Sequence, residues 1–73
     1  MPDNLLAQVL GDIYMRDGRL AEAERYLAQA LDYYRAKGMR PYIARVLQSQ
    51  SRLFKQQGRL AEAEQAASEA VAL

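Results

Sequence analysis

The chain reads as an all-α protein made of two helix–turn–helix repeats, four antiparallel helices forming a fragment of an α-solenoid. Three observations predict that class. The heptapeptide Gly18-Arg19-Leu20-Ala21-Glu22-Ala23-Glu24 returns unchanged as Gly58 to Glu64. A fixed period of roughly 20–50 residues marks a repeat architecture. Apolar residues recur at spacings of three and four, the period of a helix with one buried face. Isolated glycines stand where those periodic runs stop, as at helix ends. No strand pattern and no low-complexity linker interrupts them.

The first helix is expected to start at Asn4 or Leu5 with Asp3 as its cap, and to end near Arg16 ahead of the turn pair Asp17-Gly18. Its buried face is read as Leu6, Leu10, Ile13 and Tyr14, with Ala7 between them. Gly11 lies inside this helix, where it costs about 1 kcal/mol relative to alanine, so it implies close approach of another helix. The second helix spans about Leu20 to Lys37 and buries Leu20, Ala23, Leu27, Ala30, Leu31 and Tyr34. Glu22 and Glu24 favour its start and Lys37 its end through the helix dipole. Gly38 follows as a left-handed cap. Pro41 opens the third helix, which carries Ile43, Ala44, Leu47, Leu53 and Phe54 inward and ends near Gln57. The fourth runs from about Leu60 to Val71, with Leu60, Ala63, Ala67, Ala70 and Val71 inward. Repeat one thus covers about residues 4–38 and repeat two about 41–73 of a single domain.

A 73-residue chain buries only roughly 60% of its unfolded surface. The apolar fraction of 51% argues against disorder, but much of it is alanine, which predicts a thin core. There is no cysteine or histidine, which removes disulfides and the usual zinc ligands, and no cofactor is expected. Met1-Pro2-Asp3-Asn4 lacks the basic start of a signal peptide, and no apolar run reaches the roughly 18 residues that span a bilayer. A soluble, cytoplasmic protein is the expectation.

Within the first unit the order is Leu10-Gly11-x-x-Tyr14, then Gly18, then Ala23-x-x-x-Leu27-x-x-Ala30. The second unit follows with Ser51-x-x-Phe54, Gly58 and Ala63-x-x-x-Ala67-x-x-Ala70. Over Leu5 to Leu73 this pattern resembles the tetratricopeptide repeat. The period is longer than the family's usual one of about 34 residues. In that it is similar to the extended repeats of kinesin light chains and large bacterial transcription activators. Departures concentrate in the second unit, where Gln50 stands in place of leucine and Ala67 in place of a bulky residue. Ala7 replaces the frequent early tryptophan, and Arg35 the usual proline.

Catalysis has no support, since the carboxylate pairs Glu22/Glu24 and Glu62/Glu64 point to different faces of their helices. Ser49, Ser51 and Ser68 have no partner at a suggestive spacing, and the glycines form no phosphate loop. Charge is more informative. Residues 33–61 carry +7 and no acid, while residues 1–32 and 62–73 carry −3 each, giving the net +1. Nucleic acid is a poor partner, because net charge is small and no recognition motif is present. Tyr33, Tyr34 and Tyr42 around the middle link read as packing residues.

The resemblance implies a protein-interaction module whose first helices line a concave face. In the third helix, Arg45, Gln48, Arg52 and Lys55 form a polar stripe with Gln56 beside it. Offset by one repeat, the matching positions are Leu5, Gln8, Asp12, Met15 and Arg16. The candidate partner-binding residues are therefore Gln8, Asp12, Arg16, Arg45, Gln48, Arg52 and Lys55, reading an acidic or carboxylate-bearing peptide. The alternative is a solvated face neutralised by neighbouring acids. The C-terminal run Ala70-Val71-Ala72-Leu73 is apolar to its end. Ala67, Ala70, Val71 and Leu73 are accordingly expected at a homo-oligomer contact, a symmetric dimer being the commonest closed form. Peptide binding within a longer array and self-assembly without a separate ligand both stay open.

Overall fold

The direction of the chain is set by three glycines in the left-handed conformation, Gly18 (φ 79°), Gly38 (φ 65°) and Gly58 (φ 75°). They are evenly spaced, and an aromatic residue stands four positions before each: Tyr14, Tyr34 and Phe54. At every turn the amide after the glycine donates to that aromatic residue's carbonyl. Arg19 reaches Tyr14 at 2.8 Å, Met39 reaches Tyr34 at 3.0 Å and Arg59 reaches Phe54 at 2.8 Å. These bonds satisfy carbonyls that a helix end leaves orphaned. The link between the two units is therefore built like the turns within them.

The computed structural model describes residues 3–73, with side chains from Leu6 onward. It contains α1 (Asp3–Arg16), α2 (Leu20–Lys37), α3 (Arg40–Gln56) and α4 (Leu60–Ala72). Expected and observed helices agree within about a turn. The proposed cap Asp3 and the groove position Leu5 have side chains outside the described residues. Each helix packs on the next, α1 on α2, α2 on α3 and α3 on α4, and α1 also touches α3. The molecule measures 30 × 26 × 13 Å, so its short dimension is close to one helix diameter of about 10–12 Å. Four helices lie side by side in one layer.

The core is narrow and lies between adjacent helices. Ala23, Leu27, Ala30 and Tyr34 of α2 are buried as expected, and Ile43, Leu47 and Leu53 of α3 are joined by Val46. The buried face of α1 differs from expectation. Ala7, Gly11 and Met15 are buried, whereas Leu6 and Ile13 are exposed. The reason is Gly11. A Cβ there would lie 2.7 Å from Cδ2 and 2.8 Å from Cγ of Leu27, so only glycine lets α2 come this close. That contact turns the Ala7–Gly11–Met15 edge inward and rotates Leu6 and Ile13 away. In α4 the buried residues are Ala63 and Ala66. Leu60, Ala67 and Val71 face solvent, contrary to expectation, because no helix among the described residues packs over them.

The second hairpin solves the same contact differently. One repeat after Gly11 and Leu27 stand Ser51 and Ala67. Ser51 is buried and its hydroxyl donates to the Ala63 carbonyl at 3.0 Å, while Ala67 is exposed. Gln50 is 9% exposed, at the edge of the buried set.

The repeated arginine acts at both copies of the heptapeptide. Arg19 lies over the Tyr14 ring at 4.7 Å and pairs with Glu22. Arg59 lies over the Phe54 ring at 4.6 Å and pairs with Glu62. Arg59 also crosses between units, donating to both carboxylate oxygens of Glu24 in α2 at 3.1 Å, while Gln57 donates to the same carboxylate at 3.1 Å. The Gln57 bond, followed by Arg59, holds the Glu24 carboxyl below the usual range against a partial desolvation penalty. Arg59 likewise lowers Glu62.

Two measurements check this account. Leu27→Ala should cost about 2–5 kcal/mol, and Gly11→Ala should destabilise by about 1–3 kcal/mol despite alanine's better helix propensity. The double substitution should cost less than the sum, because the truncated Leu27 no longer collides. Ala67→Leu on the open face should stay within about 0.5 kcal/mol. Urea melts giving additive Gly11 and Leu27 effects would refute the contact. For the carboxylates, a depressed folded pKa means stability that is present above the unfolded value of 4.5 and lost as pH falls through the folded value. Glu24→Gln should therefore lower the melting temperature at pH 7 and flatten its fall toward pH 3.

Candidate functional site

Because α1 and α3 run in the same direction one repeat apart, equivalent positions meet along one face. An open depression of about 410 Å³ lies there, lined by Asp12, Met15 and Arg16 from α1 and by Arg52 and Gln56 from α3. Moving Asp12 and Arg16 forward by one repeat gives Arg52 and Gln56, so the walls are two copies of the same pair of positions. The members of each pair are one helical turn apart, which puts both on one helix face.

The polar groups in this depression are sparsely satisfied. Asp12 is half-buried, and its Oδ1 is sealed from solvent with no hydrogen-bond partner among the described residues. Among the described residues the ion pairs are Arg19–Glu22, Arg35–Glu69, Arg59–Glu24 and Arg59–Glu62, so neither Arg16 nor Arg52 is in one. Arg52 donates to the Ser49 hydroxyl at 3.2 Å on its own helix. Two exposed guanidiniums and an unsatisfied carboxylate oxygen thus surround a space floored by the buried Met15. An Arg fork matches a carboxylate in two parallel bonds, whereas Asp12 can accept only from a donor.

Of the sequence-derived candidates, Asp12, Arg16 and Arg52 come together here, while Gln8, Arg45, Gln48 and Lys55 do not line the depression. Arg45 instead lies 5.6 Å from the Tyr42 ring. Gln48 and Lys55 are exposed on α3, and Gln8 is half-buried on α1. Gln56 completes the site and is missing from the candidate set, although the one-repeat offset from Arg16 points to it. Met15 belongs to the core as well as to the floor.

The basic centre is partly neutralised within the chain. Arg35 bridges to Glu69 of α4 at 2.8 Å, and Arg59 holds Glu24 and Glu62. Tyr33, Tyr34 and Tyr42 pack together, with Tyr34 and Tyr42 stacked at 5.1 Å. Tyr34 is buried and its hydroxyl has no hydrogen-bond partner among the described residues; burial, then Tyr42 and Tyr33, push its pKa up. Among the candidate oligomer residues, Ala67, Val71 and Leu73 are exposed, whereas Ala70 packs partly against the core. No helix among the described residues is long and apolar enough to cross a membrane.

A single layer of paired helices with an open polar depression defines a helical-repeat protein. Comparison with known families matches residues 3–73 to the tetratricopeptide repeat. The chain belongs to the tetratricopeptide repeat family, whose members are generally protein–protein interaction scaffolds. No curated protein and no solved structure matches it.

An orphaned carboxylate oxygen costs folding energy, so removing it should help the fold. Asp12→Ala is expected to raise stability by up to about 1 kcal/mol, from the lost desolvation penalty and better helix propensity. Denaturant melts showing clear destabilisation would mean that Asp12 already has a stabilising partner in solution.

Proposed function

We propose that the α1/α3 face binds an extended peptide or partner segment, with a carboxylate taken by Arg16 and Arg52 and a hydrogen-bond donor taken by Asp12. The observation that carries this reading is the juxtaposition in one depression of two arginines in no ion pair, and a sealed Asp12 oxygen with no hydrogen-bond partner, among the described residues. Buried polar groups are normally paired, and one left unpaired beside a cleft is suited to a ligand that supplies the missing group. The acidic preference expected from the basic centre is narrowed to a segment with an acid flanked by a donor such as lysine or a backbone amide. Arg45, Gln48, Lys55 and Gln8 would extend the contact along the same two helices. The setting proposed is cytoplasmic, in keeping with the absence of cysteine.

Titration with a fluorescent Glu-rich peptide containing lysine tests the reading. Affinity should fall as salt rises, since the contacts are exposed charges. Arg16→Glu with Arg52→Glu should weaken binding by at least about tenfold, or about 1.4 kcal/mol, without loss of helicity. Arg45→Glu should change it far less. Binding that ignores the double charge reversal would remove the depression from consideration.

A further inference from the structure

The exposed apolar residues of α1 have buried counterparts one repeat later. Leu6, Val9 and Ile13 are 51%, 46% and 43% exposed. One repeat on, Val46, Ser49 and Leu53 are 0%, 1% and 0% exposed. Those α3 residues are covered because α3 has neighbours on both sides, α2 and α4, whereas α1 packs chiefly against α2. The mirror relation holds at the other end. Leu27 is fully buried in α2, but its counterpart Ala67 is exposed in α4. Leu31 is half-buried against the core, but Val71 is 88% exposed. The open faces of α1 and α4 are thus the two halves of the α2/α3 interface, each lacking its mate.

Their sizes are complementary. Where α2 offers Leu27 and Leu31, α4 offers the smaller Ala67 and Val71. Where α3 offers Val46 and Ser49, α1 offers the larger Leu6 and Val9. A small α4 face therefore suits a large α1 face at about constant volume, which is the condition for native-like packing.

One of the two ion pairs that tie α2 to the α4 side follows the same register, whereas Arg35–Glu69 does not, because Gln29 stands one repeat before Glu69. Within the chain, Arg59 holds Glu24 across the α2/α4 junction. Subtracting and adding one repeat gives Arg19 and Glu64. Arg19 pairs on its own helix with Glu22, and Glu64 is exposed and in no ion pair among the described residues. Asp17 stands at the counterpart of Gln57, so the amide that supports Glu24 has no equivalent there. That substitution makes a junction between chains weaker than the one within the chain.

From these matches we infer that copies of this chain associate head to tail, α4 of one on α1 of the next, with Arg19 of the incoming copy reaching Glu64. The contact is heterologous, joining two different faces, so it extends with concentration rather than closing as a symmetric dimer. It would also continue the row of Asp12, Arg16, Arg52 and Gln56 positions from copy to copy. The inference stands on the end faces and does not depend on what the depression binds.

Sedimentation equilibrium of the full chain from about 1 μM to about 1 mM tests it. The weight-average mass should rise with concentration and pass the dimer. Ile13→Glu on α1 and Val71→Glu on α4 change exposed residues, so each variant should keep wild-type helicity and sediment as a monomer. Mixed together, they should form a one-to-one dimer and stop there, because each retains the face the other lacks. A wild-type chain that stays monomeric throughout overturns the inference. So does an Ile13→Glu variant that associates like wild type, which would indicate a symmetric contact through α4 alone.

Discussion

A left-handed glycine at even intervals, closed by an amide donating to the carbonyl of an aromatic residue, is the constraint on which the molecule depends. It makes α1, α2 and α3 stop at nearly the same point of the period and the chain return through the same turn. The residues after the three glycines share nearly one backbone conformation, −87°/72° at Arg19, −87°/75° at Met39 and −93°/71° at Arg59. Regular turns put α1 and α3 in parallel register. That register places Asp12 beside Arg52 and Arg16 beside Gln56 in one depression, although the pairs are far apart in sequence.

Between the turns, helices approach through small residues, and the two hairpins balance size differently. Gly11 beneath Leu27 gives close backbone approach and one large buried side chain. Ser51 donates a hydrogen bond to the Ala63 carbonyl across the second hairpin, and the exposed Ala67 buries less apolar surface than Leu27. A single layer held this way has no second layer to cover its outer faces. The cost falls at the ends, where apolar side chains of α1 and α4 meet solvent, and the same open edges are what a stacking partner would use.

The arginines divide into two groups by what the fold brings to them. Arg19 and Arg59 lie on aromatic rings at helix starts and hold nearby glutamates, and Arg35 reaches Glu69, so these charges serve the architecture. Arg16 and Arg52 border the depression with no acid bound to them among the described residues. Asp12, which shares the depression with them, carries a sealed oxygen without a partner among the described residues. Polar groups left in that state weaken the fold locally and favour any ligand that completes them.

Helix content, helix limits and the family resemblance were legible in the chain itself, because they rest on local chemistry: glycine at positive φ, proline at a helix start, and apolar spacing of three and four. The repeated heptapeptide likewise announced Arg19 and Arg59 as equivalent. Which face of α1 is buried was not legible, since Leu6 and Ile13 satisfy the same periodicity as Ala7, Gly11 and Met15. Only the approach of Leu27 to Gly11 decides between them. In the same way, Arg45 and Arg52 are indistinguishable as residues on one polar stripe. Arg45 lies over Tyr42, three residues earlier on its own helix, whereas Arg52 borders the depression only because α1 packs alongside α3, a neighbour that sequence spacing does not specify.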